Sequence, residues 1–227
     1  MNKIKNLING FLKKKEVITI IGQYNVGKTS FVANIVKNLA IDNNKSVAIV
    51  CTEETKEKFL YRLLSLVTNI GILDLHKGTF DDTNKIKSAR DKIKKAKIYI
   101  SDSSNFTNYL SKIADKKIDL LIIDSLTYFV LEMDMSIYKI MEKLKEISKN
   151  LNCSILTTYK KLYSLPTYKE IVEKEEELIR KTSDTFIIME RDIVKLTIDS
   201  HADKTQTIDC KFNDSTGEFI DVWKIFI

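Results

Sequence analysis

The sequence predicts one α/β domain spanning residues 1–227, with a mostly parallel central sheet flanked by helices and an antiparallel β extension on its C-terminal side. Three observations carry that expectation. Short apolar runs rich in β-branched residues alternate with longer helical stretches through most of the chain, the pattern of a parallel sheet covered by helices. From residue 185 onward the pattern changes to short strands separated by turn residues. The length of 227 residues suits one domain of this kind, large enough to fold without staples and short for two.

The elements follow in order. Residues 1–16 are basic and mildly amphipathic, without the apolar stretch or small-residue cleavage site of a secretory signal. Residues 17–21 read as a buried strand and 29–41 as the helix after it. Asp42-Asn43-Asn44 marks a turn before a strand over 46–51. Residues 56–68 form an amphipathic helix with Phe59, Leu63, Leu66 and Val67 on one face. A weaker helix over 82–95 precedes a strand at 97–100, and a short helix at 106–115 leads into 118–124, the most hydrophobic strand. A helix over 136–149 and a buried strand over 154–159 complete the parallel part. Residues 160–181 are highly charged, contain the only proline, Pro166, and read as a surface excursion. Short strands are expected at 185–190, 193–199, 205–212 and 219–223, with a hairpin turn at 214–217.

Composition excludes several classes. With 44% hydrophobic and 30% charged residues the chain is ordinary globular protein. No apolar run approaches the ~20 residues a membrane-spanning helix needs, so a soluble, cytoplasmic protein is expected. Cys51, Cys153 and Cys210 are odd in number and scattered, and His76 and His201 are the only histidines. That argues against a disulfide framework and against a zinc site. The net charge of +6 is compatible with nucleic acid or another anionic ligand. Lysine runs at 13–15, 94–95, 116–117 and 160–161 read either as a nucleic-acid groove or as solvated faces of a lysine-rich chain. Tyr159, Tyr163 and Tyr168 lie among lysines, placed either to stack on bases or to cover the edge of the core. Trp223, Ile225 and Phe226 are expected on the last strand or at a subunit contact.

One motif carries specific chemistry. Gly22-Gln23-Tyr24-Asn25-Val26-Gly27-Lys28-Thr29 fits the phosphate-loop pattern G-x-x-x-x-G-K-[ST], after an expected strand and opening an expected helix. In that context backbone N–H groups of the loop and of the helix N-terminus converge on phosphate. Gly22 and Gly27 permit conformations and close approaches that a Cβ obstructs. Gly22, Tyr24, Asn25, Val26, Gly27, Lys28, Thr29 and Ser30 are the expected nucleotide contacts, with Lys28 on the β/γ-phosphates and the Thr29 hydroxyl on Mg²⁺. Such a site needs a second carboxylate at the end of a neighbouring strand. Leu120-Leu121-Ile122-Ile123-Asp124 supplies Asp124 there, the alternative being a cap of the next turn through Ser125. Hydrolysis also needs a base. Glu53, after the strand ending at Cys51, is the candidate and Glu54 the spare, unless both merely favour the N-terminus of the next helix.

Together with Leu7-Ile8-Asn9-Gly10-Phe11, Val50-Cys51-Thr52-Glu53-Glu54, Tyr61-Arg62-Leu63-Leu64-Ser65, Leu121-Ile122-Ile123-Asp124-Ser125 and Ser183-Asp184-Thr185-Phe186-Ile187-Ile188, the loop resembles the C-terminal motor domain of DnaB-type replicative helicases, within the RecA-like ATPases. The resemblance covers nearly the whole chain and is most specific at the loop. It implies a RecA-like core, ATP and Mg²⁺ as ligands, and ATP hydrolysis coupled to work on single-stranded DNA in replication. It further implies Glu53, Lys28 and Asp124 as the catalytic set, Thr29 and Asp124 as metal ligands, and a homo-oligomeric ring or a replication protein as partner.

Several positions depart from the family. The helicases carry an N-terminal helical domain and linker helix, whereas this chain begins at the motor. Tyr159 stands where the family places a glutamine that senses the γ-phosphate. The segment expected to reach a neighbour's ATP, Asp199-Ser200-His201-Ala202-Asp203-Lys204, has no arginine; His201 and Lys204 lack its planar fork, and Lys204 or the nearby Arg191 is the substitute to consider. Glu175-Glu176-Glu177 puts acids at the expected DNA-contact segment. Two readings stay open: an ATP-driven enzyme on single-stranded DNA, and a nucleotide-dependent binding or regulatory protein that kept the site and lost motor function. A small-molecule kinase is less favoured, because no lid arginines follow Asp124.

Overall fold

Nine strands form a single sheet, in the spatial order 98–101, 47–51, 120–124, 154–161, 17–23, 185–190, 194–200, 203–213 and 218–221, among the described residues of this computed structural model. Those residues are 3–12, 15–102, 106–127, 135–161, 169–190, 194–200 and 203–221. Lys13, Lys14, Tyr163, Pro166, Tyr168, Arg191, His201, Trp223, Ile225 and Phe226 lie outside them.

Strands β1 (Val17–Gln23), β2 (Val47–Cys51), β3 (Ile98–Ser101), β4 (Leu120–Asp124), β5 (Ser154–Lys161) and β6 (Thr185–Glu190) are parallel. The antiparallel extension is β7 (Val194–Ser200), β8 (Asp203–Asn213) and β9 (Glu218–Asp221). Side chains alternate across a strand, so a strand buried on both faces reads as a continuous apolar run. In β1, Ile18 and Ile20 enter one core layer, while Val17 and Ile21 enter the other.

The first layer is closed by α1 (Lys3–Gly10), α2 (Lys28–Val36) and α3 (Lys56–Thr68), through Ile8, Phe31, Ile35, Phe59 and Leu63. The second is closed by α6 (Phe106–Ile113), α7 (Ile137–Leu151) and α8 (Lys169–Thr182), through Ile113, Met141, Leu144 and Ile179. α5 (Thr83–Lys95) packs outside α3, where Ile86 and Ala89 meet Leu64. Local capping explains where three helices begin. The side chains of Thr55, Asp82 and Ser136 accept the backbone N–H of Lys58, Lys85 and Lys139. α2 runs on as a π-helical turn, Lys37–Asp42, so the helix expected at 29–41 is present with a wider last turn.

Two local expectations change. The excursion expected at 160–181 is instead the end of β5 followed, after residues outside the described set, by α8. Its charged positions hid an amphipathic helix whose Leu178 and Ile179 pack against the second layer. α4 (Ile72–Lys77), six residues between Gly71 and Gly78, was not foreseen. It is too short to display helical periodicity.

Among the described residues the lysine runs divide between the two edges of the sheet. Lys15, Lys94, Lys95, Lys116 and Lys117 precede β1, β3 and β4 at the amino edge. Lys160 and Lys161 close β5 at the opposite, carboxyl edge.

Candidate functional site

β1 ends in a loop that turns directly into α2, and the loop's conformation demands its glycines. A Cβ on Gly22 would lie 2.7 Å from the Met189 carbonyl oxygen and 2.8 Å from Val26 Cγ1. Gly27 has φ 96° and ψ 18°, a left-handed conformation that L side chains disfavour. Asn25 is also left-handed, with φ 59°. Tyr24 is 63% exposed, its ring outside the loop. The Lys28 ammonium is folded into the loop, donating to the carbonyls of Gly22 at 2.9 Å and Gln23 at 2.8 Å. Burial pulls its pKa from the ordinary 10.5 down to about 8. Asp124 and Glu53 oppose that fall, and the positive charge of Lys160 adds to it.

Asp124, at the end of β4, is buried. Its Oδ1 accepts the Thr158 hydroxyl at 2.5 Å, and the Thr29 side chain also bonds to it. Burial raises its pKa, the two threonine hydrogen bonds pull it back, and Glu54 and Glu53 push it further up. Its carboxylate therefore faces the loop and α2 rather than the next turn. That turn is organised by Ser125, whose backbone N–H donates to Thr52 Oγ1 at 2.6 Å.

The two acids after β2 have different surroundings. Glu53 is exposed at the cleft and its Oε1 accepts the Ser125 hydroxyl at 3.0 Å. Glu54 is half-buried and held by the Arg62 guanidinium of α3, Nη2 to Oε2 at 3.0 Å. Arg62 also donates to Ser30 Oγ at 3.1 Å, tying α3 to the start of α2.

Lys28, Asp124, Glu53 and Arg62 line one cleft of about 260 Å³ at the carboxyl edge of the parallel strands, where open α/β sheets bind ligands. Tyr24, Asn25, Gly27, Lys28, Thr29 and Ser30 meet Glu53 and Asp124 there. Gly22 and Val26 shape the loop from inside, both buried.

Sequence reasoning missed two walls. Thr158 and Lys160 reach the cleft from β5, with Lys160 Nζ 4.2 Å from the centre of the Tyr24 ring. Tyr159, expected at that point, is buried in the second core layer and its hydroxyl donates to Glu175. Period-two alternation was the signal available, because residues 158 and 160 share a face that 159 does not. The second wall is the β8–β9 hairpin, which contributes Phe212, Asp214 and Gly217. Asn34 of α2 docks it, donating to the Gly217 carbonyl at 2.8 Å and accepting from the Phe219 N–H at 3.2 Å. Phe219 packs edge-on against Phe31 with centroids 5.2 Å apart. Contacts between segments so distant in sequence leave no local signal.

The acids at 175–177 are engaged within the chain, Glu176 with Lys161 at 2.6 Å and Glu177 with Lys181 at 2.6 Å. Arg180, at the end of α8, pairs with Asp199 of β7 at 2.5 Å.

A model of the DnaB-like helicase C-terminal domain family matches residues 1–163 of this chain. The replicative DNA helicase DnaB of Geobacillus stearothermophilus is 31% identical over 103 residues, covering 44% of this chain and 22% of that protein. The probable replicative DNA helicase of Guillardia theta is 26% identical over 179 residues, covering 71% of this chain and 28% of that protein. The chain thus matches about a quarter of the length of these two curated relatives. Among solved structures, a DnaB-like replicative helicase described with its interactions with primase superposes with a TM-score of 0.77 at 19% identity, over 93% of this chain and 58% of that one. The fold is that of a RecA-like helicase ATPase domain, as the resemblance implied. Among the described residues no helix is long and apolar enough to cross a membrane.

Proposed function

The chain belongs to the DnaB-like helicase C-terminal domain family, and on that footing we propose that it binds ATP with Mg²⁺ in the cleft, hydrolyses it slowly when alone, and acts in DNA replication or on single-stranded DNA. The observation that carries the reading is the convergence of Lys28, Asp124, Thr29 and Glu53 on one cleft from three different elements.

The residues suit a hydrated Mg²⁺ delivered with phosphate. Among the described residues no group of three or more His, Cys, Asp or Glu could hold a metal by itself. Mg²⁺ characteristically takes one or two protein oxygens and completes its shell with phosphate and water. Thr29 and Asp124 would hold it, and its chemistry there would be to neutralise charge on the phosphates.

Lys28 exchanges its two loop carbonyls for phosphate oxygens and balances charge on the leaving diphosphate. Glu53, oriented by the Ser125 hydroxyl, accepts a proton from water as the water oxygen bonds to the γ-phosphorus. The bond to the bridging oxygen breaks and ADP leaves with that electron pair, so the products are ADP and inorganic phosphate.

Slow turnover is inferred from the segment expected to reach the γ-phosphate. An arginine supplied to the γ-phosphate contributes about 10³–10⁵ in rate, yet residues 199–204 include no arginine and Arg180 is bound to Asp199. The same observation favours a second reading, a nucleotide-dependent binding or regulatory protein working through a replication partner or a ring of its own copies. Phosphate release with and without oligo-dT, at low and moderate salt, separates the two. Slow, weakly stimulated turnover is expected. Robust stimulation at moderate salt, abolished by changing Lys204 or His201, would overturn the slow-motor reading.

A further inference from the structure

The cleft holds a second ammonium group that the phosphate-loop pattern does not include. Among the described residues three cationic side chains line it, Lys28, Arg62 and Lys160. Their commitments differ. Lys28 is held by two loop carbonyls and Arg62 by Glu54 and Ser30. Lys160 instead rests over the neutral ring of Tyr24, 4.2 Å from its centre.

The backbone beneath Lys160 is fixed in the sheet, and its side chain is half-buried on the wall of the cleft. Lys160 pairs with Gly22 in the parallel β1–β5 register, and its N–H donates to Thr127 Oγ1 at 3.3 Å. A cation on an aromatic face at a partly exposed site is weakly held, and a phosphate oxyanion is the stronger partner. Lys160 and Lys28 line the same cleft, so two like charges address one small volume from β5 and from α2. Their repulsion is relieved by a ligand carrying several negative charges, and more fully by a triphosphate than by a diphosphate.

We propose that Lys160 is the residue by which this cleft distinguishes a nucleoside triphosphate from a diphosphate, its ammonium leaving the Tyr24 ring for the terminal phosphate. The proposal rests on the nucleotide reading above and adds a specificity residue to it. Tyr24 acts as a resting place that keeps the side chain at the mouth of the cleft until that charge arrives.

Calorimetric titration with Mg²⁺ at matched ionic strength tests it, using ADP and the non-hydrolysable β,γ-imido analogue of ATP. Lys160→Met is expected to weaken the triphosphate analogue about tenfold or more, with ADP changed by less than about twofold. Tyr24→Leu is expected to keep the preference for triphosphate, since the ammonium remains. Lys28→Ala, the control for the site itself, should weaken both ligands. Thermal melts verify folding, and Lys160→Gln replaces the Met variant if that one is unstable. Equal losses of both ligands in the Lys160 variants, no loss in either, or a preference that disappears with Tyr24→Leu would overturn the role of Lys160 while the nucleotide site stands. If the unmodified protein binds neither ligand, both readings fall.

Discussion

Replacing Lys28 with methionine should leave the empty protein at least as stable as the original at pH 7 while removing most of its affinity for ATP. The Lys28 pKa falls from 10.5 to about 8 on folding. At about 1.4 kcal/mol per pH unit, that corresponds to about 3 kcal/mol against keeping the ammonium charged in the folded state. Two hydrogen bonds to the Gly22 and Gln23 carbonyls offset part of this, at about 1 kcal/mol each. Methionine keeps the packed stem without the charge, so a net gain of about 1 kcal/mol is expected, or about 3 °C in Tm for a domain of this size.

The pH dependence has a definite sign. The folded pKa lies below the unfolded one, so below about 8 both states carry the proton and the penalty is complete. Between about 8 and 10.5 the folded state releases its proton first, and stability rises with pH. The original protein should therefore gain about 2 kcal/mol on the methionine variant between pH 7 and pH 10. Affinity moves the other way. Two charge-assisted contacts to phosphate, less the two loop hydrogen bonds given up, amount to a loss of about 10- to 1000-fold in the variant. Urea unfolding of both proteins at pH 7 and 10, with ATP titration at pH 7, measures every quantity. A variant clearly less stable than the original at pH 7, or a stability difference that does not move with pH, would refute the argument.

Four further substitutions test the cleft and the loop beneath it. Glu53→Gln should retain ATP binding while phosphate release falls about 10²–10⁴-fold. Should Glu54→Gln be the damaging change instead, the assignment of the two acids is reversed. Asp124→Asn should weaken ATP in the presence of Mg²⁺ and have little effect without it, so equal losses under both conditions would count against a metal role. Because burial already disfavours the Asp124 carboxylate, that variant should melt close to the original. Gly22→Ala places a Cβ 2.7 Å from the Met189 backbone oxygen and should destabilise the fold by about 1–3 kcal/mol. An unchanged urea midpoint would show that the β1–β6 contact yields more easily than its geometry implies.

The order of the strands, the parallel character of the core and the tight loop between β1 and α2 were legible in the residues alone. Each is a local property, whether strand-length apolar runs, helical periodicity in 56–68, or glycines at fixed spacing around Lys28. The acids after β2 and β4 were legible for a related reason, since a carboxylate following a buried strand must emerge at its carboxyl edge. Helix α8 was hidden because charged residues outnumber apolar ones along it, and a helix needs few buried positions to dock. Only the tertiary structure set Glu53 and Glu54 apart in surroundings, giving one to Ser125 at the cleft and the other to Arg62. It likewise turned Tyr159 into the core and Lys160 into the cleft, and folded the β8–β9 hairpin onto α2 through Asn34 and Phe219. Sequence spacing encodes which face of its own element a residue occupies. Which neighbour that face meets depends on how β5, α3 and the hairpin pack, and that packing is a property of the whole chain.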